Sequence, residues 1–121
     1  MNLATGVDLI EIERIRQALE KHGERFLERV FTPAEIGECA GREESLAARW
    51  AAKEATAKTL GCGIGEVSFR EIEILRGEAG QPRLLLHGVA SRRAKALGLT
   101  EWSLSLSHDQ SQAIAVVVAL G

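Results

Sequence analysis

A single α+β domain over residues 1–121, with helices packed on a largely antiparallel sheet, is the fold predicted for this 121-residue chain. Three observations predict it: an apolar run at the start, helical periodicity through the first half, and alternating segments through the second half with one helix between them. No repeat, linker or low-complexity segment divides the chain. With 45% hydrophobic and 26% charged residues and only 2 prolines, the composition is that of a folded domain and unlike a disordered one.

Leu3 to Ile10 holds Val7, Leu9 and Ile10 behind Gly6 and reads as a strand ending near Asp8, which places that acid at a strand terminus. From Ile12, the residues Ile15 and Leu19 recur at helical spacing and share a core-facing side. If that helix ran unbroken past Gly23, Arg14, Lys21 and Arg25 would align opposite the apolar face, flanked by Glu13, Glu20 and Glu24. Such a stripe is either a solvated face with compensating charges or a docking surface for an acidic partner.

Thr32-Pro33-Ala34-Glu35 combines a capping hydroxyl, a proline at the first helical position and a glutamate placed to reach back, so a helix starts there. Glu43 to Leu60 is rich in alanine and free of proline and glycine until Gly61, which makes it the longest helix and lets other elements pack close. Phe69 and Glu71 to Leu75 alternate as a strand, Gly77 to Pro82 supplies a turn, and Arg83 to His87 is a second extended run, giving a hairpin with a longer loop. Gly88 to Leu97 returns to helical spacing. Trp102 to Ser107 alternates strictly before His108 and a polar turn, and the apolar run Ala113 to Leu120 should pair with it antiparallel.

A formal net charge of −2 excludes a surface that is basic overall, so neither nucleic acid nor an anionic membrane is an expected partner and any anion site must be local. The start lacks a basic leader or a long apolar run, and Asp8 interrupts the first hydrophobic stretch. Neither a signal peptide nor a membrane span fits, and the cytoplasm is the expected compartment. Cys39 and Cys62 lack the close spacing of a zinc site and read as packing residues of a reducing compartment.

The residues able to carry chemistry are scattered: Asp8 after a strand, Arg49, Lys53, Glu54 and Lys58 on one helix, and His108-Asp109 at a strand end. Glu54 and Lys58 stand four apart, a spacing that also suits a plain surface pair, and Arg49 and Lys53 share that ambiguity. Asp8 sits among apolar residues, where an acid needs a metal, a charge or a capping interaction to offset its burial. His108 is open between a functional role and that of an ordinary hydrogen-bonded histidine.

Taken together and in order, these pieces resemble the holo-acyl-carrier-protein synthase family. The resemblance rests on Gly6-Val7-Asp8-Leu9 with Ile12 and Arg14, on Phe31-Thr32-Pro33-Ala34-Glu35, and on Arg49-Trp50-Ala51-Ala52-Lys53-Glu54-Ala55 through Lys58. Gly61-Cys62-Gly63, Gly80-Gln81-Pro82 and Ser105-Leu106-Ser107-His108 ahead of Ala113 to Val117 extend it over nearly the whole chain. Two positions depart from the family pattern: Gln112 replaces a tyrosine, and Gln81 stands where many relatives carry lysine or arginine.

The resemblance implies a 4'-phosphopantetheinyl transferase-like fold and a magnesium enzyme that moves 4'-phosphopantetheine from coenzyme A to a carrier-protein serine, in support of fatty acid biosynthesis. It implies Asp8 and Glu54 as magnesium ligands, with Lys58, Arg49 and His108 as donors to phosphate oxygens, and Gly61, Gly63, Gly80 and Pro82 shaping the coenzyme A site. Magnesium commonly takes one or two carboxylates together with substrate phosphates and waters, so two acids suffice. The base for the serine proton stays open between a water on the magnesium and Asp109. An acidic carrier protein would give Arg14, Lys21 and Arg25 a partner, and a homotrimer with sites at subunit interfaces would substitute for the two similar halves of larger relatives. A binding module without transfer activity and a purely structural oligomer are the competing readings.

Overall fold

Alanine sets how closely the elements of this protein approach one another. The computed structural model describes every residue from Met1 to Gly121. Its elements are β1 (Leu3–Glu11), α1 (Ile12–His22), α2 (Glu24–Val30), α3 (Pro33–Cys39), α4 (Glu43–Thr59), β2 (Ile72–Arg76), β3 (Pro82–Leu86), α5 (Gly88–Ala96), β4 (Glu101–His108) and β5 (Gln112–Leu120). Helix α4 is the centre: Ala47, Ala48, Ala51, Ala52, Ala55 and Ala57 are buried, and β1 and β5 pack directly on it. At Gly6 the approach is closest, because a Cβ there would lie 2.0 Å from the Ala55 carbonyl oxygen and 2.5 Å from Thr59 Oγ1. Only glycine permits β1 to rest on the helix at that point.

A three-stranded antiparallel sheet of order β1-β5-β4 covers α4, and β2 and β3 form a separate antiparallel pair. The α+β prediction therefore holds, with the strands divided between two sheets. Alternation sends Ala113, Ala115, Val117 and Ala119 of β5 inward. The outer face of the same sheet exposes Leu3, Val7 and Leu9 of β1 with Ile114, Val116 and Val118 of β5. Alongside them on β4 lie Ser103 and Ser105.

Three expectations are corrected. Phe69–Glu71 forms a single 3-10 turn capped by Ser68, so the strand read from Phe69 begins only at Ile72. Strand β1 does not end near Asp8 but runs to Glu11, because pairing with β5 continues through Leu9↔Ile114, Ile10↔Ala113 and Glu11↔Gln112. Asp8 is thus a mid-strand residue opposite Ala115. The helix from Ile12 also breaks at Gly23, which takes φ 56° and separates α1 from α2. Arg14 and Lys21 consequently belong to one helix and Arg25 to another, so no unbroken basic stripe forms.

The capping box at Thr32 forms as expected: its hydroxyl accepts from the Glu35 N–H and the Glu35 carboxylate accepts from the Thr32 N–H. Glu35 does more than cap. Fully buried, it also accepts from Lys53 Nζ at 2.7 Å and from the Ile74 N–H at 2.9 Å, tying α3, α4 and β2 together. Lys53 completes its three donors on the carbonyls of Phe69 and Ile72, with the Phe31 ring 5.5 Å away. Burial lowers the Lys53 pKa against the pull of Glu35. Of the two thiols, Cys39 is in the core and Cys62 half-buried; both are free, and burial pushes both upward in pKa.

Candidate active site

The close seat of β1 on α4 decides where the acids meet. With Gly6 against Ala55, Asp8 two residues on faces the exposed edge of the same helix, where Glu54 and Lys58 project. Lys58 Nζ donates to Asp8 Oδ1 at 3.2 Å and to the Val7 carbonyl at 2.9 Å, so the lysine pairs across to the strand. Its third N–H is free for a ligand. The Glu54 carboxyl is raised above the ordinary carboxylate range, first by burial and then by the Asp8 charge, with Lys58 and Arg14 pulling the other way. A carboxylate from β1 and one from α4, joined by Lys58, are hard-oxygen donors of the kind a divalent cation takes.

A second group lines a cleft of about 390 Å³ between α4, the β2–β3 turn and β4. Arg49, Gly80, Pro82 and His108 are there, as expected from the sequence, and Ser45, Arg76 and Ser105 join them. Arg49 is largely buried: its Nε donates to the Ile74 carbonyl at 2.9 Å and its Nη2 to Glu38 Oε1 at 2.6 Å. Gly80 turns the chain at φ 86° and brings backbone to the cleft rim. Gln81 contributes nothing to this wall, because its Oε1 accepts from the Ala79 N–H and the side chain folds back across the turn. The cleft thus offers two guanidinium groups, an imidazole and the Ser45 hydroxyl, a donor set suited to phosphate oxygens.

The remaining candidates sit elsewhere. Asp8, Glu54 and Lys58 form one group and do not line the arginine cleft. Gly61 follows the end of α4 at φ 71° and its carbonyl accepts from Arg93 Nη2, and Gly63 lies in the loop beyond; neither lines either group. Asp109 caps the β4–β5 turn, where its carboxylate accepts from the Ser111 and Gln112 N–H groups and is held below the ordinary range by them. That makes it a poor proton acceptor. Arg25 gathers with His22 and Arg29 around Phe26 in a basic hollow on α1 and α2. Sequence reasoning missed His22, Arg29, Arg76, Ser45 and Glu38. For Ser105 there was a local signal, its place in the motif ending at His108; for Arg76 there was none, since only the hairpin fold brings it to α4.

The α+β domain thus carries two acids on one strand and helix and, at the other end of that helix, a basic cleft with donors for phosphate oxygens. The family model described as 4'-phosphopantetheinyl transferase superfamily matches residues 4–117. The holo-[acyl-carrier-protein] synthase of Herpetosiphon aurantiacus is 55% identical over 98% of this chain and 99% of its own. The crystal structure of the Helicobacter pylori holo-[acyl-carrier-protein] synthase in complex with coenzyme A superposes with a TM-score of 0.88 at 36% identity, covering 96% of this chain and 99% of that one. That of the Neisseria meningitidis holo-[acyl-carrier-protein] synthase gives 0.89 at 37%, covering 98% of both. The chain belongs to the 4'-phosphopantetheinyl transferase superfamily and, within it, to the holo-[acyl-carrier-protein] synthases.

Proposed function

We propose that this protein transfers 4'-phosphopantetheine from coenzyme A to a serine of an apo acyl carrier protein, releasing adenosine 3',5'-bisphosphate and supporting fatty acid biosynthesis. The observation that carries the mechanistic reading is the hydrogen bond of Lys58 Nζ to Asp8 Oδ1 at 3.2 Å, which brings the strand's acid to the face of α4 where Glu54 stands one turn before Lys58. In this reading Asp8 and Glu54 hold magnesium. When bound, the ion neutralises charge on the coenzyme A pyrophosphate.

The chain's own residues orient the substrate. Lys58, anchored to Val7 and Asp8, directs its remaining N–H to a phosphate oxygen, while Arg49 and His108 take the phosphate groups at the nucleotide end. Gly80 and Pro82 provide the rim beside the adenosine, and Gly61 and Gly63 shape the exit of α4. The serine oxygen forms a bond to the pantetheine-side phosphorus as the bridging phosphorus–oxygen bond to the nucleotide breaks, and the serine proton leaves to a water. Such a transfer depends on positioning and charge stabilisation more than on a protein nucleophile.

The carrier protein, being acidic, docks on Arg14, Lys21 and Arg25, with His22 and Arg29 extending the basic surface around Arg25. The two groups of site residues do not share one cleft within a protomer, which fits a site completed at an interface. The apolar outer face of the β1-β5-β4 sheet suits burial against two further copies in a homotrimer. No helix is long and apolar enough to cross a membrane.

The test is the mass of apo carrier protein after incubation with the enzyme, coenzyme A and magnesium. An added phosphopantetheine arm that disappears on chelation is the expected result. An unchanged mass would leave only a binding module or a structural oligomer.

A further inference from the structure

We propose that Glu38 is a positioning residue that fixes Arg49 and the end of β2 against the basic cleft and thereby sets the affinity for coenzyme A, an inference that rests on reading the cleft as the coenzyme's nucleotide site. Glu38 lies near the end of α3 and does not line the cleft itself. A single oxygen, Oε1, accepts from Arg49 Nη2 at 2.6 Å and from the Arg76 backbone N–H at 2.9 Å. Both arginines line the cleft. One carboxylate therefore holds one guanidinium by its head and the other by its backbone.

The donor inventory explains why this matters. Arg49 has five N–H donors, of which one goes to Ile74 and one to Glu38, and the others have no protein acceptor. With Nε and Nη2 both pinned, the guanidinium plane is fixed and its unpaired edge is presented to a ligand in one orientation. The pinning is asymmetric in exposure: the Arg49 side chain is 8% exposed and that of Glu38 is 30%. Glu38 is itself held in place, since Arg42 Nη2 donates to its carbonyl at 2.9 Å while Arg42 Nε donates to Ser45 Oγ, another residue of the cleft wall. Loss of the Glu38 carboxylate would free the guanidinium to rotate and leave the Arg76 N–H without its acceptor.

A residue that acts through Arg49 must be coupled to it, and a double-mutant cycle on coenzyme A binding reads that coupling. Calorimetric titration of the full-length protein with coenzyme A is expected to show about tenfold weaker binding for Glu38→Ala, with the KM for carrier protein unchanged. Glu38→Ala/Arg49→Ala is expected to lose less affinity than the two single losses combined, any loss beyond Arg49→Ala being the part that runs through the Arg76 N–H. Glu38→Gln keeps an oxygen acceptor of the same reach and is expected to retain affinity to within about threefold. Should the alanine variant not fold, Glu38→Asp decides: one methylene shorter, it cannot span both partners and is expected to bind at least about fivefold more weakly. Wild-type affinity in Glu38→Asp or Glu38→Ala, or additive losses in the cycle, would overturn the proposal. Failure of the wild-type protein to bind coenzyme A would instead overturn the reading of the cleft.

Discussion

Lys53 and Glu54 follow one another on α4 and meet opposite surroundings. Lys53 is fully buried, with Glu35 and two carbonyls taking all its donors, whereas Glu54 stands half-buried beside a second carboxylate. Removing one member of a buried ion pair strands the other charge, so Lys53→Met is expected to cost about 3–5 kcal/mol in urea unfolding. A variant as stable as the wild-type protein would show that the pair does not hold the fold together. At this scale the sequence was half legible. Glu54 could be singled out as a candidate site residue through its motif, but a helical period cannot tell that its neighbour turns inward to partners from α3, from the turn before β2 and from β2 itself. For the same reason Glu38 was invisible: its two partners lie on α4 and β2, and only the folded chain brings them to one oxygen.

Elements whose boundaries are set by local chemistry were readable in advance. The Thr32 capping box starts α3, Gly61 stops α4, and strict alternation marks β4. Boundaries set by tertiary pairing or by one glycine's backbone were not: β1 continues past Asp8 because β5 continues beside it, and Gly23 at φ 56° divides a helical pattern that otherwise runs on. The contact of β1 with α4 is where fold and site join. Gly6→Ala would drive a Cβ into the Ala55 carbonyl, pushing the strand off the helix and carrying Asp8 with it. The expected result is a loss of about 1–3 kcal/mol in urea unfolding, together with slower carrier-protein modification. Unchanged stability and unchanged transfer would mean that this seat does not position the acid.

The whole molecule presents one sheet face to α4 and another, apolar, to the outside. An apolar run behind a polar turn marked Ala113 to Leu120 as a strand but could not assign its faces, because both are apolar: Ala113, Ala115 and Val117 turn inward, and Ile114, Val116 and Val118 turn outward. A homotrimer that buries this outer face is expected to sediment at about three times the 13.1 kDa of one chain. Val116→Glu places a charge on the exposed face without touching the core, and it is expected to reduce that mass to one chain with the fold retained. A wild-type protein that sediments as a single chain would remove the trimer.

The proposed mechanism turns on two acids, one from β1 and one from α4, acting as a single cation site in the transfer of phosphopantetheine. The most direct measurement is the mass of apo carrier protein incubated with coenzyme A and either the wild-type enzyme or Asp8→Asn/Glu54→Gln, with magnesium titrated into each. The phosphopantetheine arm is expected to appear with added magnesium for the wild-type enzyme and to be absent for a folded double variant. A double variant that modifies the carrier at the wild-type rate would contradict it.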